Sequence, residues 1–353
     1  MTMYTRRDFL KKAVLATVGS TLILEKAHAF EKLARPFTGK PKNSSKISNA
    51  TIKQTMESWG IVTVSVCNMR QADDYDSGQV SQALLGMPVK ILGESHEWTK
   101  IQTPEDYIGW TLTRTVTHVS AEQHAEWNAS EQVVVTSIYS MVYSEPKLSS
   151  QTMSDVVAGN RFKLLNSTKY FFHIAYPDGR KGYLKKTDGD LLSHWRKHLK
   201  YDAQSIIATG KSLMGLPYMW GGTSTKGVDC SGFVRTTLFM HDIIIPRDAS
   251  QQAYKGEHID ITSDFGNLKP GDLVFFGSRN AETNKPRVSH VGIYIGNKKF
   301  IHSLGFVHIS SFNPDDEEYD EYDLNRLLWA ERILPYINKE EGMMTTNHNT
   351  YYQ

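Results

Sequence analysis

The chain has 353 residues, with 40 Lys and Arg against 38 Asp and Glu and only two cysteines. That length exceeds one ordinary domain and suggests two or three, while nearly balanced charge without a basic stripe argues against nucleic acid as a partner. No stretch after the first thirty residues is apolar enough to cross a bilayer, and two cysteines are too few for a disulfide framework.

The N-terminus, TRRDFLKKAVLATVGSTLILEKAHA, places basic residues first, then the apolar run Ala13 to Leu24, then the small residues Ala27 and Ala29. That order reads as an export signal over residues 1–29. Arg6-Arg7 followed by Asp8-Phe9-Leu10-Lys11 resembles a twin-arginine signal. Residues 30–54, containing RPFTGKPKNSSKISN, are polar and rich in Pro, Gly and Ser, as expected of a linker.

Residues 55–195 alternate like β-structure, with turn residues at short intervals. A shift of 73 residues superposes this region on itself: Val62 falls on Val135, Gly86 on Gly159, Trp98 on Phe171, Ile101 on Ile174 and Gly109 on Gly182. The coincidence predicts two copies of one small β unit, at 55–125 and 126–195, with MPVKIL matching NRFKLL and YIGWTL matching RKGYLK. The unit resembles the bacterial SH3-like domain. Cys67, inside VTVSVC, reads as a small buried hydrophobe.

At about residue 200 the period changes. Ile206, Ile207, Leu213 and Met214 fit a helical stripe, and a third domain is expected over 200–338. The acidic run DDEEYDEYD (315–323) reads as a solvated loop and the tail KEEGMMTTNHNTYYQ (339–353) as disordered.

Within that domain GLPYMWGGTSTKGVDCSGF sets a glycine-rich loop before an apolar helical pattern carried by Phe233, Val234, Thr237, Leu238 and Met240. Asp229 has the chemistry of an N-cap, which puts Cys230 in the first helical turn. There the helix dipole favours negative charge, and a thiol of ordinary pKa about 8.5 is expected to be lowered toward thiolate. Packing of Cys230 on the inner face of the helix is the alternative. Further on, PGDLVFFG and SHVGIYIGNKKFIHS read as strands, with His290 and His302 flanking a turn at Gly296-Asn297. An odd-membered loop puts the two histidines on one face of the sheet; a two-residue Gly-Asn loop puts them on opposite faces. On one face, one ring can take a thiol proton while the other orients it.

PYMWGGTSTKGVDCSGF, IPRDASQQ, KPGDLVFF and SHVGIYIGNKKFIHS, in that order, resemble the motifs of the NlpC family of papain-like cell-wall cysteine peptidases. With two SH3-like units ahead of it, the chain is similar to γ-D-glutamyl-L-diamino-acid endopeptidases. The resemblance implies a multidomain protein, two small all-β SH3-like barrels followed by an α+β papain-like catalytic domain, acting on peptidoglycan fragments without cofactor or metal. It implies that Cys230 is the nucleophile, His290 the base, His302 the orienting residue and the Tyr218 phenol an oxyanion donor. Asp229, Ser231 and Ser250 would bind the free amino end of an L-Ala-γ-D-Glu substrate. Trp220 reads as core, and Arg247 with Asp248 as a structural pair. In relatives a glutamate in a segment like GEPV joins the amino-end pocket; here GMPVKIL places Met87 there, leaving Glu94 or Glu105 as candidate substitutes. An amidase or acyltransferase using the same Cys-His-His set, and a catalytically inert wall-binding protein, are the rival readings.

Overall fold

The computed structural model describes residues 58–353. The segments read as an export signal and a linker, and the first residues of the first β unit, lie outside the described residues.

The first unit contributes strands β1 (Ser58–Val62), β2 (Val66–Arg70), β3 (Gln79–Leu84), β4 (Pro88–Ser95), β5 (Trp98–Gln102), β6 (Ile108–Leu112) and β7 (Val116–Val119). They form a sheet in the order β3-β2-β6-β5-β4-β1-β7. Alternation turns Cys67, Met69 and Ile101 into the core, with Asn68 and Lys100 facing away. The second unit supplies β8 (Gln132–Val135), β9 (Tyr139–Tyr143), β10 (Thr152–Val157), β11 (Arg161–Ser167), β12 (Phe171–Ala175), β13 (Lys181–Lys185) and β14 (Gly189–Leu191). Its order, β10-β9-β13-β12-β11-β8-β14, repeats the first. The 73-residue shift lays β2 on β9, β3 on β10, β5 on β12 and β6 on β13 end for end. The coinciding glycines have a backbone cause: Gly86 and Gly159 both turn with positive φ, +81° and +87°.

The helix Ala121–Ala129 crosses the boundary placed at 125/126, and nothing in its weak periodicity announces it. Ser120 and Gln123 close a capping box at its start. Its Trp127 donates to the Gly86 carbonyl at 3.2 Å and its His124 stacks on Trp59 with ring centroids 3.9 Å apart. Tertiary anchoring makes this helix.

The third unit opens with the helices Leu192–His198 and Ala203–Ser212, then the strand pair β15 (Thr223–Ser224) and β16 (Gly227–Val228). Its central helix, Cys230–Phe239, is buried along its whole length. After β17 (Ile243–Ile244) and the one-turn helix Ala249–Gln252 comes a sheet of β18 (Glu257–Ile259), β19 (Leu273–Arg279), β20 (Pro286–Gly296), β21 (Lys299–Leu304), β22 (Phe306–Ser311) and β23 (Leu327–Arg332). Its order is β18-β23-β19-β20-β21-β22. Phe233, Val234 and Leu238 pack against Val291, Ile293 and Ile301 of this sheet, each such side chain contributing about 1.5–3 kcal/mol of burial. Ile206 and Leu213 of the expected stripe turn inward, but Met214 stands 46% exposed because the helix has ended before it.

The tail expected to be disordered is built into the fold. β24 (Met344–Thr345) pairs with β17. Thr346 Oγ accepts from Arg161 at 3.0 Å and Arg196 at 2.6 Å and donates to Asp242 at 2.5 Å. Arg161 and Asp242 are buried and paired at 2.8 Å. Buried charges call for hydrogen-bond partners, and the tail also buries Met343 and Tyr351 and packs Tyr352 against the first core, so it folds here through hydrogen bonds and apolar burial together. The first sheet and the central helix share a core in which Met87 and Leu84 meet Phe239 and Ile244, flanked by the buried pair Arg235–Glu105 at 2.8 Å.

Candidate active site

Asp229 adopts the extended N-cap conformation and its side chain accepts from the Gly232 N–H at 2.7 Å, so Cys230 is the first residue of the central helix. The same carboxylate accepts from the Gly221 N–H at 3.0 Å, from Ser231 Oγ at 3.3 Å and from both Arg247 Nη atoms, at 3.2 and 2.5 Å. Arg247 therefore pairs with Asp229 across a buried site. The expected Arg247–Asp248 contact is corrected: the guanidinium hydrogen-bonds to Asp229 and Ser231, and Asp248 acts on it through charge alone. Asp248 instead caps the following helix and meets the Tyr107 phenol.

Both cysteines are free and buried. Cys67 is the core residue expected, its sulfur held by Thr111 and Thr115 at 2.8 and 3.1 Å. The Cys230 thiol is met by the backbone N–H groups of Ser231 and of Val291, the residue after His290. These donors do not lower its pKa overall. Burial, with the Asp229 charge adding to it, pushes the thiol up to about 12. The expected resting thiolate is corrected to a thiol: helix-tip donors are outweighed when the sulfur has lost its water.

The turn between β20 and β21 is the two-residue Asn297–Lys298, both with positive φ, as a type I′ hairpin requires. Gly296 pairs with Lys299, which by itself would set His302 opposite Ile293 and on the face away from His290. The pairing instead shifts between Tyr294 and Gly296, leaving Ile295 as an extra residue, and His302 comes opposite Gly292. A bulge thus restores what a two-residue loop would have spoiled. A Cβ on residue 292 would stand 3.2 Å from the His302 Cβ and 3.0 Å from Phe300; its absence lets the His302 ring lean to its diagonal neighbour. His290 Nε2 and His302 Nδ1 lie 2.7 Å apart, both rings buried.

The pair continues into residues the sequence reading left out. His302 Nε2 is 3.1 Å from Ser310 Oγ and 3.1 Å from His308 Nε2. Ser310 donates to Asp320 Oδ2 at 3.0 Å, and Asp320 caps the short helix Glu321–Leu324 by accepting from the Asp323 N–H at 2.9 Å. Asp323, read as part of a solvated loop, is fully buried; one oxygen receives Arg326 at 3.2 Å. The other makes no hydrogen bond and lies 3.5 Å from His302 Nδ1 and 3.9 Å from His290 Nε2. The acidic run did carry a signal: Asp320 and Asp323 stand at N-cap and N3 spacing.

Burial drives the titrations of this cluster. It takes His290 down to about 3, with the Arg326 and His308 charges adding, and His302 well below its ordinary value. It raises Asp323 to about 7, with Asp320 adding and Arg326 opposing. At neutral pH both rings are uncharged, as a base must be. His290, His302 and Asp323 present ligand atoms within 4.8 Å of one another and could hold a metal ion, although two of those atoms already bond each other.

Tyr218 is half-buried beside Cys230, and burial together with the Cys230 and Asp229 charges pushes its phenol up, keeping its O–H as a donor. Ser231 is buried, donating to Asp229 and accepting from Arg247 at 2.9 Å, while Ser250 is exposed on the helix Ala249–Gln252. Trp220 is not core: it stands 60% exposed, with its carbonyl accepting from Gln79. Met87 is buried among apolar residues and Glu105 is buried against Arg235, while Glu94 is exposed, 3.1 Å from His118.

Residues 215–325 match the NlpC/P60 family and residues 69–114 the bacterial dipeptidyl-peptidase SH3 domain. A γ-D-glutamyl-L-lysine dipeptidyl-peptidase of Bacillus cereus (strain ATCC 10987 / NRS 248) is 33% identical over 231 residues, 63% of this chain and 66% of that protein. Its namesake from Bacillus subtilis (strain 168) is 28% identical over 236 residues, 63% of this chain and 71% of that protein. The crystal structure of an NlpC/P60 family protein from Bacillus cereus ATCC 10987 superposes with a TM-score of 0.67 at 26% identity, covering 78% of this chain and all of that one.

Proposed function

Because the chain carries an NlpC/P60 family domain behind a bacterial dipeptidyl-peptidase SH3 domain, we propose that it is a cysteine peptidase of the cell wall that hydrolyses the γ-D-Glu–L-diamino acid amide of peptidoglycan stem peptides. The observation that carries the reading is the buried His290–His302 pair, with Val291, the residue after His290 on its strand, giving its backbone N–H to the thiol at the tip of the central helix. The free Nδ1 of His290 takes the thiol proton as sulfur attacks the carbonyl, since a neutral thiol and a neutral imidazole must exchange the proton during attack rather than before it. The N–H groups at the helix start and the Tyr218 phenol receive the oxyanion. Collapse expels the diamino acid amine, which takes its proton from the His290 imidazolium. Water then hydrolyses the thioester on Cys230.

The second seven-stranded sheet is taken as a second SH3-like barrel, on its repeated strand order. The amino-end contact falls to Asp229, Ser231 and Ser250. Asp229 already balances Arg247, so its hold on an ammonium group is weak, and short peptides with free and acetylated N-termini are expected to differ in kcat/KM by less than about tenfold. Among the described residues no helix is long and apolar enough to cross a membrane. Export to the periplasm or cell envelope rests on residues 1–29.

Mass analysis of products from defined muropeptides tests the function. The account expects L-Ala-γ-D-Glu and a peptide beginning with the diamino acid. Acyl transfer to an added amine without release of the free dipeptide would favour the acyltransferase reading, and binding without turnover the inert one.

A further inference from the structure

We propose that Ser310 and Asp320 are positioning residues that fix, through His302, which nitrogen of His290 carries the proton. The inference rests on His290 acting as base toward Cys230.

Counting donors forces the assignment. A carboxylate can only accept, so Ser310 spends its one hydroxyl proton on Asp320 Oδ2 at 3.0 Å. Toward His302 Nε2, 3.1 Å away, Ser310 Oγ can then only accept. The proton of His302 is therefore on Nε2 and its Nδ1 is bare. A bare Nδ1 lying 2.7 Å from His290 Nε2 accepts from it, which puts the proton of His290 on Nε2 and leaves Nδ1 as the lone pair that faces no ring partner. The neighbouring strand agrees with this direction. With its ring neutral, His308 donates from Nδ1 to the Phe306 carbonyl at 2.9 Å, which leaves its Nε2 bare to accept from the same His302 N–H at 3.1 Å. His302 thus has two acceptors on one side, and the whole chain of hydrogen bonds points from His290 to Asp320.

Other charged and titratable groups face the chain: Cys230 from the central helix, His308 from β22, and Asp323 and Arg326 from the segment after Asp320. Of these, Asp323 makes no hydrogen bond to either ring, and His308 only reinforces the polarity. The single residue whose chemistry sets the direction is Asp320.

Asp320→Asn tests this with little change of shape. The amide oxygen still caps the helix Glu321–Leu324, Asn being as good an N-cap as Asp. Its NH₂ group, however, donates where Oδ2 accepted. Ser310 then turns its proton to His302 Nε2, His302 carries its own on Nδ1, and the His290 proton is driven to the nitrogen that should be free. The expected result is a kcat lower by roughly 10- to 100-fold with KM within about twofold. Nitrogen spectra of histidine-labelled protein are expected to move His302 from the Nε2–H to the Nδ1–H tautomer. Ser310→Ala removes the transmitting atom, so adding Asp320→Asn to it costs nothing further, and Ser310→Thr restores most of the activity. Unchanged tautomers in Asp320→Asn, or losses that simply add in the double variant, would overturn the proposal. Full activity in Cys230→Ala would instead overturn the reading beneath it.

Discussion

Replacing Arg247 by Met tests the most consequential electrostatic contact in the site. The guanidinium and the Asp229 carboxylate are 2% and 9% exposed, joined at 2.5 Å. Methionine fills much the same volume, so the loss is chiefly of charge, and an unpaired buried carboxylate typically costs 3–5 kcal/mol. Asp229 keeps the N–H groups of Gly232 and Gly221 and the Ser231 hydroxyl, which puts the expected loss at the lower end, about 3 kcal/mol. Urea unfolding followed by tryptophan fluorescence measures it. Adding Asp229→Asn removes the stranded charge while an amide oxygen still caps the helix, so the double variant is expected to regain all but about 1.5 kcal/mol. A loss below about 1 kcal/mol in Arg247→Met, or no recovery in the double variant, would refute the assignment of Asp229 to a buried ion pair.

Acid should destabilise the protein through the histidines. His290 titrates near 3 when folded and near 6.5 when unfolded, and His302 shifts the same way, so below pH 6.5 the unfolded chain binds more protons and stability falls toward pH 3. One ring shifted this far accounts for at most about 5 kcal/mol; Asp323, protonated in the fold up to about 7, works in the opposite direction. Urea midpoints between pH 7 and 4 should fall more steeply in the wild type than in His290→Gln/His302→Gln, and equal slopes would contradict the buried neutral pair. Gly292→Ala sets a methyl against Phe300 and His302 and is expected to lose about 1–3 kcal/mol in unfolding assays and most of the peptidase activity; wild-type turnover would show that His302 does not need the gap. Ending the chain at Gly342 strips Thr346 from the Arg161–Asp242–Arg196 cluster, and calorimetry should show a transition several degrees lower. An unchanged transition would mean that the tail merely rests on the surface.

The two β units were legible because period-two alternation and paired turn glycines survive in both copies, down to matching strand ends. Asp229, Cys230 and the two histidines were legible for the same local reason: an N-cap before an apolar helix, and a hairpin. What escaped is what depends on distant partners. The helix Ala121–Ala129 is held by Trp59 and the Gly86 carbonyl, and the tail by Arg161 and Asp242, none of which a local window contains. The raised thiol pKa is a consequence of burial, which no spacing reveals. Ser310 and Asp320 reach His302 only through strand pairing and a cap, so a run of acids looked like solvent-facing loop. The hairpin bulge at Ile295 was likewise invisible: the turn residues alone predict the opposite parity.

The most direct measurement is intact-protein mass after acid quench of a turnover mixture with an L-Ala-γ-D-Glu-diamino acid peptide, for the wild type and Cys230→Ala. The account predicts an added L-Ala-γ-D-Glu acyl group on Cys230 in the wild type, and neither adduct nor dipeptide release in the variant. Release of the dipeptide by Cys230→Ala at the wild-type rate would contradict it.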